Sequence, residues 1–135
     1  MSSRKYFGRL AALGAIVVTA LGSGLAPQAV AAETCTSTTG ARVCFESYGD
    51  HFFVYDTRED GHRAGVQYTY PGAGGYYFCD NAGGASGTPK DCNRNLPENV
   101  TVEFRALVCE GDCKTALGES RNLIRASGWA WASTG

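Results

Sequence analysis

Between Asn99 and Cys109, NVTVEFRALVC, apolar and polar side chains alternate without interruption. Val100, Val102, Phe104, Ala106 and Val108 share one parity, and Thr101, Glu103 and Arg105 share the other. That is the period of a strand with one face in a core. Carried along the chain, the same pattern predicts five more strands. In the first, Val43 and Phe45 alternate with Arg42 and Glu46, and the strand carries Cys44. A turn at Gly49-Asp50 leads to the second, His51 to Tyr55, where Phe52, Phe53, Val54 and Tyr55 occupy both parities. Such a strand is buried on both faces or lies at a contact between sheets. Ala64, Val66, Tyr68 and Tyr70 alternate with Arg63, Gln67 and Thr69 in a third, and Tyr76 to Cys79 makes a fourth. The chain ends on a strand from Leu123 to Ala132, in which Gly128 marks a bulge.

The stretches between these strands are polar or glycine-rich. Ala32 to Gly40 reads as a lead-in tethered by Cys35, Pro71 to Gly75 as a loop, and Asp80 to Pro97 as a longer loop. Lys114 to Ser120 has room for a single helical turn. Short strands, frequent turn signals and no long helical periodicity predict an all-β fold. The expected form is a small disulfide-stabilised antiparallel sandwich or barrel of about six strands.

Two features locate the domain. Arg4, Lys5 and Arg9 precede an uncharged run from Leu10 to Leu25, and Ala29-Val30-Ala31 supplies a small-x-small cleavage site, so residues 1–31 read as a secretory signal peptide. Residues 32–135 are then one exported domain, with no membrane segment in its mature form. All six cysteines lie in it, and an even count in an oxidising compartment predicts three disulfides. The sequential pairing is expected, Cys35 with Cys44, Cys79 with Cys92 and Cys109 with Cys113, because each pair brackets a turn between strands. These crosslinks offset a thin core, since the exported part has Leu or Ile only at positions 96, 107, 117, 123 and 124.

Charge narrows the partners. Of the 12 basic residues three fall in the signal peptide, leaving nine against 13 acidic ones, a net charge of −4. A surface of that sign repels phosphate backbones, so a nucleic-acid partner is not expected. The run Ala41-Arg42-Val43-Cys44-Phe45, then Gly49-Asp50-His51-Phe52, Asp56, Asp60-Gly61, Cys92-Asn93 and Ser127-Gly128-Trp129-Ala130, resembles small secreted cysteine-containing proteins of Streptomyces and related actinobacteria, whose role is unassigned. The resemblance covers most of residues 32–135. It implies export and compactness and transfers no functional residue.

Candidate chemistry is sparse. His51 beside Asp50, and His62 beside Glu59 and Asp60, are the groups suited to acid/base work, but no Gly-x-Ser-x-Gly elbow or His-Glu-x-x-His helix accompanies them. The cysteines are assigned to disulfides, and no metal or other cofactor is expected. The most suggestive stretch is Tyr68 to Tyr77, where Tyr70, Tyr76 and Tyr77 flank a glycine-rich tip and can offer flat faces to a sugar or a partner. Alternation also puts Tyr68, Tyr70, Tyr76 and Phe78 where cross-strand core rings sit, and the core reading leads for Trp129 and Trp131 as well. The expected function is therefore that of a monomeric, secreted, non-catalytic domain that binds an extracellular protein or glycan, or acts as an inhibitor. A cell-surface coat protein and a small hydrolase built on His51 or His62 are the alternatives.

Asp56 to Gly61, DTREDG, begins like a calcium loop, with Asp at its first and fifth positions and Gly at its sixth. Arg58 stands at the third, and Gln67 stands at the twelfth in place of the bidentate Glu. Calcium should therefore leave the melting temperature unchanged in a thermal scan, and a rise of several degrees contradicts this reading.

Overall fold

The computed structural model describes residues 24–26, 32–114 and 122–135. The expected signal peptide, residues 1–31, falls almost wholly outside the described residues, as does most of the Lys114 to Ser120 connection. Nine strands are described: β1 (Glu33–Thr38), β2 (Ala41–Glu46), β3 (His51–Asp56), β4 (Arg63–Thr69), β5 (Tyr77–Asn81), β6 (Lys90–Asn93), β7 (Thr101–Cys109), β8 (Leu123–Ala126) and β9 (Ala130–Ser133). They form two antiparallel sheets. The first has the order β1-β2-β3-β6; the second has β5-β4-β7, with β8 and β9 following one another along the far side of β7. The protein is an all-β sandwich.

The alternation sorts each strand onto the interface between the sheets. Ala41, Val43, Phe45, Phe52 and Val54 from the first sheet meet Ala64, Val66, Tyr68, Val102, Phe104, Ala106 and Val108 from the second, all buried in one core. Rings dominate its centre. Phe52 lies 4.7 Å from Phe45, 4.6 Å from Tyr68 and 5.5 Å from Phe104, measured between ring centroids. Such contacts add roughly 0.5–1.5 kcal/mol per pair beyond the area they bury. On β3 the second parity is not core: Phe53 and Tyr55 are half-buried on the outer face, Phe53 stacked on His51 and Tyr55 beneath the Arg42 guanidinium.

Two strands arise where the polarity pattern predicts loops. β1 occupies the expected lead-in, and its inward residues are Thr34, Thr36 and Thr38, paired with Phe45, Val43 and Ala41. Threonine is β-branched and suits a half-buried edge, yet it carries no apolar signal. β6 lies within the expected Asp80 to Pro97 loop; its Lys90, Asp91 and Asn93 are exposed, and Cys92 alone turns inward. At the other end, the expected C-terminal strand divides at Ser127 to Trp129.

The three disulfides pair as expected, Cys35–Cys44, Cys79–Cys92 and Cys109–Cys113. They are the chemistry of an oxidising compartment. Their roles differ. Cys35 and Cys44 are register partners on β1 and β2, and Cys109–Cys113 closes a turn at the end of β7. Cys79 on β5 and Cys92 on β6 join one sheet to the other. The Asn81 side chain reinforces that link by donating to the Val54 carbonyl at 3.0 Å, a buried hydrogen bond between sheets.

The closed loops differ in length, with sequence separations of 13, 9 and 4 for Cys79–Cys92, Cys35–Cys44 and Cys109–Cys113. Replacing Cys79 and Cys92 together by alanine should therefore cost the most, about 2–4 kcal/mol, and replacing Cys109 and Cys113 the least. Urea unfolding of the three double variants tests the order; equal losses contradict it.

Candidate binding surface

The loop between β4 and β5 positions the tyrosines. Tyr70-Pro71-Gly72-Ala73 is a tight turn, closed by the Ala73 N–H donating to the Tyr70 carbonyl at 3.0 Å, with Pro71 presetting one angle and Gly72 at φ 86°. The Thr69 hydroxyl donates to the Gly75 carbonyl at 2.8 Å, and the Tyr77 hydroxyl donates to the Ala73 carbonyl at 3.2 Å. The loop is thus tied to both strands that carry it.

Register then separates the rings. Tyr77, not Tyr76, is opposite Tyr68 across β4 and β5. Tyr68, Tyr77 and Tyr70 form a file at the end of the sandwich, with centroids 5.5 and 6.0 Å apart and near-parallel planes. Tyr68 is buried, Tyr70 half-buried, and Tyr77 42% exposed. Burial raises the Tyr68 phenol above its ordinary range, and the nearby Arg94 guanidinium opposes that shift. Arg94 is brought there by Asp50, whose carbonyl accepts the Arg94 N–H and whose carboxylate accepts the Leu96 N–H, both at 2.9 Å. The result is a cleft of about 390 Å³ that Tyr68, Tyr70, Tyr77, Arg94 and Leu96 help to line.

Tyr76 lies on the other side of the second sheet. The expectation that Tyr76 and Phe78 share the core face with Tyr68 and Tyr70 is corrected by this register, which turns both to the other face of the sheet, where Phe78 is half-buried against a second apolar cluster of Leu107, Cys109 and Cys113. On that outer face Tyr76 is 44% exposed and stacks on Trp129 at 5.8 Å. The Arg105 guanidinium lies 4.6 Å from the Trp129 ring centroid, and Arg105 Nε donates to Gln67 Oε1 at 2.7 Å. Next to them Trp131 pairs with Glu103 and is 60% exposed.

The core reading of the tryptophans is corrected too, and its cause is a bulge. Leu107 pairs with Ala126, but Phe104 pairs with Ala130, so Arg105 and Ala106 face three residues, Ser127, Gly128 and Trp129. Continuing the Leu107–Ala126 register would set Trp131 opposite Val102 on the core side. The extra residue sets it opposite Glu103 and turns Ala130 and Ala132 inward instead. Ser127 completes the ladder. Its N–H donates to the Ala106 carbonyl at 2.9 Å, and its Oγ accepts the Ala106 N–H at 2.8 Å.

The histidines find partners remote in sequence. His51 Nδ1 lies 2.7 Å from Asp91 and its Nε2 3.2 Å from Asn93, while His62 Nδ1 lies 2.9 Å from Glu110. They are carried by opposite sheets. Asp56 and Asp60 turn their carboxylates onto backbone N–H groups two residues on, those of Arg58 and His62. Glu33 clusters with Cys35 and Cys44, whose sulfurs are already joined.

One carboxylate pair has no sequence signature. Asp80 accepts the Cys113 N–H at 2.9 Å and lies 3.6 Å from Arg63, with Asp112 beside it. Gly65 permits this approach: a Cβ there would meet both Asp80 and Cys113 Sγ at 2.8 Å. Burial, with Asp112 adding to it, raises Asp80 to about 6. A backbone N–H from Lys114 holds Asp112 below its ordinary value. The pair fastens the Cys109–Cys113 turn onto β4 and β5.

Compared with known proteins, the chain matches no family model, no curated protein and no solved structure.

Asp80 gives the fold a pH dependence. With a folded value of about 6 against an ordinary 3.8, the folded state binds a proton that the unfolded chain releases across this window. Stability should fall as pH rises from about 4 to about 6 and then level off. Asp80→Asn should flatten that fall, as read from urea midpoints at successive pH values; an unchanged slope contradicts the assignment.

Proposed function

We propose that this is a secreted, non-catalytic β-domain that works by binding an extracellular protein or glycan. The observation that carries it is the outward setting of Trp131, 60% exposed on the face where Tyr76 stacks on Trp129. Large aromatic side chains supply most of the contact energy in binding faces and are otherwise drawn to the core. Rigid support adds to this reading. Trp129 is braced by Arg105, Arg105 by Gln67, and the loop before Tyr76 by hydrogen bonds from Thr69 and Tyr77. A braced surface loses little freedom when a partner arrives. The three disulfides suit an extracellular setting, and the signal-like N-terminus supports export.

Catalysis has weaker support. His51 and His62 each stand in a pair with a carboxylate, and the two pairs belong to different sheets, whereas acid/base work needs groups converging on one substrate.

The disulfide-bonded protein, immobilised and challenged with cell-wall glycans and with secreted hydrolases, should retain a partner from one panel. Trp131→Ala and Tyr76→Ala should each weaken retention about tenfold or more, without lowering the melting temperature. Retention that both variants preserve, or concentration-dependent self-association on gel filtration without a partner, would favour the coat-protein alternative.

A further inference from the structure

We propose that the outer face of the second sheet binds an uncharged polysaccharide chain, laid across β5, β4, β7 and β9 over Tyr76, Trp129 and Trp131. This rests on the binding reading above and names its ligand class.

The placement of rings comes first. Thr69, Glu103 and Trp131 form one register row across β4, β7 and β9, and Tyr76 directly precedes β5, one position past the Tyr68–Tyr77 pair, on the Thr69 side of that row. At about 4.8 Å between strands, Tyr76 and Trp131 are rooted roughly 14 Å apart, with Trp129 reaching Tyr76 between them. That is an open track longer than one sugar ring. A small molecule is better held in a concave site, such as the Tyr68–Tyr77 cleft at the sandwich end.

The chemistry between the rings fits a sugar. A pyranose has a face of C–H groups, which stacks on aromatic rings, and a rim of hydroxyls, which both donate and accept. Glu103 and Arg105, both half-buried, offer a carboxylate and a guanidinium along the track to adjacent hydroxyls, and the buried Gln67 amide holds Arg105 in place. Glu103 decides between partners. It is half-buried and pairs with no described cation. Sugar hydroxyls donate to this carboxylate directly, whereas a protein partner would have to bring a cation or N–H donor of its own to avoid burying it uncompensated. Arg105 balances its charge on the face, and the exported chain carries −4, so a neutral polymer is favoured over an anionic one.

The disulfide-bonded protein should be retained by at least one of insoluble chitin, cellulose and β-1,3-glucan. Retention should persist in about 1 M salt, where screening removes long-range charge effects. Soluble oligosaccharide of the same polymer should shift the tryptophan fluorescence. Trp131→Ala and Tyr76→Ala should each lose about tenfold or more in affinity, while Tyr55→Ala on the opposite sheet leaves it unchanged. Circular dichroism confirms that each variant is folded. Retention that survives Trp131→Ala, or that salt abolishes, overturns the proposal. A secreted protein captured in a Trp131-dependent way, with no neutral glycan bound, overturns the glycan assignment and leaves the binding reading standing. Folded protein that retains neither class overturns both.

Discussion

The packing of Phe52 against Phe45, Tyr68 and Phe104 is the contact on which the two-sheet arrangement depends. It joins three strands, β3, β4 and β7, through one buried ring, and β2 adds Phe45. With so few leucines and isoleucines available, these rings hold most of the volume at the centre of the sandwich. Around them the inward positions are small: Ala41, Ala64 and Ala106 are fully buried, so the sheets can approach closely beside the rings. Truncating Phe52 would leave a cavity with no flexible neighbour to fill it, which is the costly kind of core loss.

Fastening completes what a thin core leaves unfinished. Cys79–Cys92 and the Asn81 to Val54 hydrogen bond cross between the sheets on the β5 and β6 side. On the far side, Thr134 accepts the Val100 N–H and donates to the Pro97 carbonyl, securing the chain end beside β7. Asp50 holds the Arg94 to Leu96 segment over the end of the sandwich, and Leu96 plugs it. Each of these links joins residues distant in sequence, so each restricts the unfolded chain or satisfies a buried polar group that the core itself cannot.

Strong alternation made β7 legible, and the turn-bracketing cysteines made the disulfide pairing legible, because both signals are local. The edge strands were not. β1 fills its inner face with threonine and β6 exposes all but Cys92, so neither shows an apolar period to read. Side assignment failed at the tyrosines for a different reason. Alternation says which residues share a face but not which face is inside, and consecutive Tyr76 and Tyr77 offer no contrast to decide it. The Asp80–Asp112 pair and the histidine partners depend on approaches across 32 to 48 positions, for which composition holds no trace. The cleft by Tyr68 was half legible: its rings are in the aromatic stretch, while Arg94 arrives through Asp50.

The bulge at Ser127 to Trp129 decides what the outer face of the second sheet presents. Packing alone accounts for part of it, since Ala130 lies opposite Phe104, and a tryptophan there would overfill a core whose centre is already occupied by rings. That requirement explains why small residues face inward on β9. It does not explain why the outward positions carry tryptophan, because any polar residue would satisfy an exposed site at lower hydrophobic cost. Gly128 was readable as a bulge, but the parity shift it produces is what moves Trp131 from the core side to the surface. A single extra residue thus does two things at once, keeping the interior narrow and turning Trp131 outward opposite Glu103. Packing demands only the first, and the second leaves Trp131 60% exposed on the outer face.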